Sequence, residues 1–284
     1  MKNKLFLIVF ALCLLVGAFA PIPSAAQSDS SVLFVAPNRL VIAPNENTTE
    51  INVSNKSDVQ RRYDITIVDQ IMTGDGLTQR VDTFEYSAKR MLRFVPRRFT
   101  LEPGGRQVVR VMATRESGLP DGDYHSHILF REVPLAIQDR KEVEEQRSES
   151  SVQFEIRALY GIAVPIIVQA GNVVSDIDIG DVSFVPASEG TQAHLAVELI
   201  RTGNAEASGS LITRLSKGDL QDHQIAQNWI PIYREVDRVV RRIPLTSLPQ
   251  GVTLQGGRVT LELTKDNRVT ESGAPEVVTR EITF

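Results

Sequence analysis

Apolar and polar residues alternate along most of this chain, and the clearest run lies at Val152–Val168. Every even position there is apolar: Val152, Phe154, Ile156, Ala158, Tyr160, Ile162, Val164, Ile166 and Val168. Gln153, Glu155 and Arg157 stand between them in the first half. Period-two alternation predicts a β-strand with one buried face. A strand over all of these residues would run to roughly 55 Å, far beyond the usual length of about five or six residues. Such a strand either spans two sheets or offers part of its length to something else. The functional expectation is the second, an edge kept for a partner chain.

The same pattern recurs in shorter pieces. VLFVAPNRLVI (Val32–Ile42) reads as a strand interrupted at Pro37, and Glu50–Ser57 and Arg61–Gln70 read as alternating strands around a polar turn at Asn55–Asp58. Asp75-Gly76, Pro103-Gly104-Gly105 and Leu119-Pro120-Asp121-Gly122 are turn signals. Val109 with Val111 opens one further strand, and HSHILFREVP (His125–Pro134) reads as another. Strands recur about every ten residues with no convincing amphipathic helix, so the first half predicts an antiparallel sandwich.

Gln169-Ala170-Gly171-Asn172 closes the long strand and marks a domain boundary. Beyond it DIDIGDVSFVP, HLAVELIRTGN, SGSLITRLSKGD, IPIYREVDRVVRRIPL, RVTLELT and VVTREITF continue the strand pattern. Their roughly 110 residues fit a second Ig-like sandwich. The predicted fold class is all-β, with two Ig-like β-sandwich domains at 27–168 and 172–284. Residues 138–150, QDRKEVEEQRSES, carry one apolar residue, Val143, and predict an exposed, mobile loop leading into the long strand.

Composition adds the compartment. Lys2 and Lys4 precede an apolar run from Leu5 to Ala20, and Ser24-Ala25-Ala26 supplies small residues, so residues 1–26 read as a cleaved secretory signal peptide. The single cysteine, Cys13, would leave with it, and the remaining chain would hold its fold by burial without a disulfide. Loss of Lys2 and Lys4 takes the formal charge from −4 to −6, which argues against a nucleic-acid partner. No later segment is apolar for long enough to insert in a membrane as a helix. A soluble protein of a Gram-negative periplasm is the expectation.

Candidate chemistry is sparse. His125 and His127 alternate on one strand and share a face, a conceivable metal pair, but a surface or cleft role is the stronger expectation. Asp176, Asp178 and Asp181 lack a calcium-type loop and read as the polar face and turn of a strand. No nucleophile elbow, zinc-protease helix motif or phosphate loop is present, so neither enzymatic activity nor a cofactor is expected. Trp229, the only tryptophan, is expected in core or interdomain packing, and the basic strand Arg238–Pro244 on a solvated face.

Three ordered segments together resemble the PapD-like periplasmic chaperones of chaperone/usher pilus assembly. They are FVPRRFTLEPGGRQVVRV, LPDGDYHSHILFREVP with its aromatic-arginine-glutamate-apolar-proline ending, and the alternating strand after the charged loop. The resemblance covers about residues 30–168 and reaches 172–284 only as a second Ig-like domain of fitting length. It implies two Ig-like domains in an L or boomerang arrangement. It also implies that the chain holds pilus subunits by lending them a strand until they reach an outer-membrane usher, a form of β-augmentation. The lent residues map onto Val152, Phe154, Ile156 and Ala158.

The family anchors the subunit's terminal carboxylate with an arginine on the first strand, which Arg39 matches, and arginine's planar fork suits a carboxylate. A lysine late in the long strand completes that anchor in the family. Here Ala163 lies near that position, and Arg39 acts alone or with Arg157 or Arg90. Expected partners are therefore pilus subunits and the usher, with self-association of the free chain as one way to cover its edge. The alternative is a structural or adhesive Ig-like surface protein whose long strand completes its own sandwich. A metal hydrolase on a β-sandwich is a distant third.

Overall fold

Strands form wherever the alternation is strong, and the first ten build one sandwich. The computed structural model describes residues 33–133, 160–269 and 272–284, and among them no helix occurs. The elements are β1 (Leu33–Ala36), β2 (Leu40–Ile42), β3 (Thr48–Asn55), β4 (Arg61–Met72), β5 (Thr78–Val81), β6 (Leu92–Val95), β7 (Arg98–Leu101), β8 (Arg106–Ala113), β9 (Gly122–Val133) and β10 (Gly161–Ala170). One sheet has the order β1-β3-β8-β6. The other has the order β2-β10-β9-β4-β5, with β7 also paired to β4. The chain changes sheets between β1 and β2, where Pro37 withdraws a ladder donor.

Inward positions of the alternation make the core between the sheets: Ile51 and Val53 on β3, Val109 and Val111 on β8, and Val164, Ile166 and Val168 on β10. The hydroxyl of Tyr124 donates to the carbonyl of Pro120 at 3.0 Å, the tyrosine corner of Ig-like sandwiches.

The predicted long strand is described from Gly161, and it runs past Val168 to Ala170. Val152, Phe154, Ile156 and Ala158 lie outside the described residues, as does the charged segment 138–150. β10 pairs antiparallel with β9 along its whole length, but parallel with β2 only at Ile166–Val168. The Glu132 N–H donates to Tyr160 O at 3.0 Å. By the alternation of antiparallel pairs, the backbone groups of Gly161, Ala163 and Pro165 therefore turn away from β9. At these three positions no described strand covers that side.

Gly171 turns the chain toward the second sandwich with φ +58°, and a Cβ there would run into the Asp121 carboxylate. The remaining strands are β11 (Ser175–Val185), β12 (His194–Gly203), β13 (Ala207–Lys217), β14 (Leu220–Ile232), β15 (Arg238–Pro244), β16 (Arg258–Val269) and β17 (Pro275–Thr283). They form sheets of order β11-β12-β15 and β14-β13-β16-β17 around a second core with Leu195, Val197 and Leu199 facing Leu211, Leu215 and Leu261. The stretch read as one strand at 230–245 is two, because Tyr233–Asp237 turns between β14 and β15. The two cores are separate clusters, yet Leu33–Phe284 form one compact unit.

Candidate functional site at the junction of the sandwiches

Arg39 sits in the crossing between β1 and β2, which carries it to the edge of the first sandwich. Its Nη2 meets Oε1 of Glu206, the residue before β13, at 2.6 Å, and the two side chains are 25% and 3% exposed. Its guanidinium also lies 5.6 Å from the Trp229 ring centroid. Arg39 and Glu206 border a cavity of about 690 Å³ lined from both sandwiches, with Val41, Asp123 and Gln169 on one side and Ser208 and Asp266 on the other. Asp266 is held by Ser208 Oγ at 2.8 Å and by the Trp229 indole N–H at 2.6 Å.

The cavity wall carries more acid than base. Asp123 is buried, and its Oδ2 accepts the Glu206 N–H at 2.8 Å. Burial raises the Asp123 pKa. Burial likewise pushes Glu206 up to about 7, against the pull of Arg39 and with a further push from Asp123. Among the described residues, Arg39 is the only cation paired with the Glu206 carboxylate; the contact is an ion pair, and neither Oε1 nor Oε2 has a hydrogen-bond donor in good geometry.

Beneath this cavity the junction is filled by aromatic and titratable groups. His125 and His127 are both buried on β9. The His125 ring stacks on Tyr233 at 4.4 Å and on Phe84 at 4.9 Å, and its Nε2 meets Glu235 Oε2 at 3.0 Å. Glu235 Oε1 accepts the Met72 N–H at 2.7 Å. Asp69, also buried, accepts hydroxyls from Ser87 and from Ser126, the latter at 2.7 Å. The β4–β5 hairpin reaches across: Met72 is buried in the second core, and Gly74 O accepts the Val240 N–H at 2.8 Å. Gly76 O accepts from Arg241 at 2.5 Å, and Arg234 covers Tyr86 at 4.2 Å.

Burial lowers His127 to about 4. A folded-state value below the unfolded one means that the unfolded chain takes up a proton first, so His127 removes stability as pH falls from about 6.5 to 4. Glu206 is shifted the other way and removes stability as pH rises from about 4.5 to 7. Between pH 7 and 5 each effect is worth about 2 kcal/mol, and the two oppose each other. Thermal unfolding at those two pH values is expected to show His127→Gln gaining stability at pH 5 relative to wild type, and Glu206→Gln losing it. Parallel behaviour of the three proteins would contradict these shifts.

The structure corrects several readings. His125 and His127, expected on a surface or in a cleft, are buried in the junction, because β9 is covered on both faces there. Trp229, expected in core or interdomain packing, is 49% exposed rather than core and meets Arg39 of the first sandwich. Arg241, on the basic strand, is half-buried and bonded across the junction rather than solvated. Asp176 and Asp178 do lie on a strand, β11, and Asp176 there pairs with buried Lys265 at 2.8 Å. Arg39 does reach a cleft, but it arrives already paired. Arg90 is exposed and does not line the cavity, and Arg157 lies outside the described residues. Glu206 was not anticipated; an acid between the strands HLAVELIRTGN and SGSLITRLSKGD carries no periodic signal.

No protein-family model matches the chain, and no curated protein matches it. Among solved structures, similarity is found to the Escherichia coli chaperone DraB, with 14% identity over 88% of this chain and 95% of that one and a TM-score of 0.44. It is found also to a chain of the CsuC–CsuE chaperone–tip subunit pre-assembly complex of Acinetobacter baumannii Csu pili, with 14% identity, coverage of 88% and 98%, and a TM-score of 0.44. A chain of the Salmonella enterica SafA pilin in complex with the SafB chaperone matches at 11% identity, coverage of 89% and 96%, and a TM-score of 0.44.

Proposed function

We propose that this protein is a periplasmic chaperone that binds pilus subunits by lending them a strand and passes them to an outer-membrane usher. The observation that carries the reading is the uncovered edge of β10. At Gly161–Pro165 that strand has β9 on one side and no described strand on the other. The apolar alternation continues directly upstream through Ala158, Ile156, Phe154 and Val152. An edge of unpaired backbone groups next to a regular row of apolar side chains is what β-augmentation requires. Three large side chains entering a groove are worth about 1.5–3 kcal/mol each before ordering costs.

Arg39 is proposed as the anchor for the subunit's terminal carboxylate, facing a cavity wide enough for a chain end. No residue is assigned catalysis, and no cofactor is invoked.

The test is capture from periplasm by the tagged protein, with mass spectrometry of what elutes. Wild type is expected to recover small Ig-like subunits one-to-one, and Phe154→Asp is expected to recover none while keeping its unfolding temperature, since a charge enters an apolar groove only at high cost. Equal recovery by Phe154→Asp would exclude strand donation.

A further inference from the structure

Arg39 uses one nitrogen on Glu206, at 2.6 Å, and stacks on Trp229. A guanidinium has five N–H donors, and among the described residues Nε is buried with no acceptor. The arginine is therefore an unfinished carboxylate site that already holds one carboxylate from its own chain. Glu206 is almost fully buried, so its charge depends on this pair. A second carboxylate on Arg39 would place two anions on one cation, beside a third acid, Asp123.

We propose that Glu206 is an internal stand-in for the partner's carboxylate, and that an incoming carboxylate takes Arg39 only as Glu206 accepts a proton. The step balances: the proton comes from solvent, Glu206 becomes a neutral acid, Arg39 keeps its charge, and the ligand carboxylate replaces one anion by another.

The groups that face Glu206 favour this exchange. Asp123 on β9 and burial both disfavour its anionic form, while Arg39 and His125 favour it. Tyr233, after β14, is close enough to feel its charge. Arg234 is committed to Asp123 O at 3.1 Å and does not replace Arg39. Asp266 adds negative charge across the cavity. With burial holding Glu206 to about 7, the exchange falls in the neutral range. The inference rests on the reading of Arg39 as a carboxylate anchor.

Trp229 is the only tryptophan and touches the guanidinium, so its fluorescence reports the site. The probe is an acetylated nine-residue peptide of alternating valine and serine with a free terminal carboxylate, compared with its C-terminal amide. Wild type is expected to bind the free acid about tenfold more weakly at pH 8 than at pH 6, the change set by one proton with a midpoint near 7. Glu206→Gln is expected to bind it equally at both pH values, and at pH 8 about tenfold more tightly than wild type.

Calorimetry on the unmutated protein in two buffers of different ionisation heat is expected to show uptake of close to one proton per peptide at pH 8. That measurement stands even where a variant fails to fold. Absence of proton uptake, or the same pH dependence in Glu206→Gln, overturns the stand-in role but leaves Arg39 as anchor. Undiminished binding by Arg39→Ala, equal binding of acid and amide, or no binding by wild type and Glu206→Gln overturns the anchor reading itself.

Discussion

Replacing Arg201 by alanine is expected to destabilise the protein by about 3–5 kcal/mol, a large part of the 5–15 kcal/mol that ordinarily separates folded from unfolded chains. Arg201 on β12 is buried at 4% exposure, yet it points into the protein with a full set of acceptors. Nε donates to Val236 O at 2.9 Å, Nη1 to Gly203 O at 2.8 Å and Ala205 O at 3.1 Å, and Nη2 to Arg234 O at 3.1 Å and Asp237 at 2.6 Å. Three of these acceptors belong to the turn between β14 and β15. That turn carries Tyr233, Arg234 and Glu235, the residues that meet β9 and the β4–β5 hairpin.

Alanine would leave four carbonyls short of a partner, each costing about 1–3 kcal/mol where water cannot reach. The midpoint of thermal unfolding should fall by on the order of 10 °C. Lysine keeps the charge but not the planar fork, so Arg201→Lys should recover little. An Arg201→Ala midpoint within about 2 °C of wild type would show the network to be dispensable.

Met72→Asp is expected to have a comparable cost and a different signature. Met72 ends β4 of the first sandwich but is buried in the core of the second. A carboxylate there has no partner, a cost on the order of 3–5 kcal/mol. Because the hairpin joins the two cores, the loss should fall on their coupling. Wild type should unfold calorimetrically in one transition and Met72→Asp in two, with the second sandwich melting first. Met72→Ala, which removes only packing, should cost about 2–5 kcal/mol. A single unshifted transition in Met72→Asp would show that the hairpin is not a structural link.

Much of this architecture was legible in the chain. Period-two runs located β8, β9, β12 and β13, and Pro-Gly and Asp-Gly clusters located the turns. Arg201 is legible too: it continues the inward register Leu195, Val197, Leu199, and a charge at an inward position announces a buried network. What the pattern could not carry is contact between distant elements. Asp75-Gly76 marks a hairpin, but nothing local says that Met72 beside it serves the other core. Trp229 is expected in core or interdomain packing; it does meet Arg39 of the first sandwich, but at a half-exposed position where its indole N–H is bonded to Asp266, which the pattern does not mark. Glu206 matters only because the fold brings Arg39 to it across 167 positions of sequence.

Pro165 sets a limit on whatever pairs with the open edge of β10. Its missing N–H falls on the side away from β9, at the end of the uncovered stretch and next to the three residues held by β2. A strand zipping along that edge loses its ladder at this position and cannot advance by displacing β2. The first sandwich thereby keeps its own closing strand while exposing its neighbour, and under the proposed strand-lending role a guest strand would leave without the host having to refold.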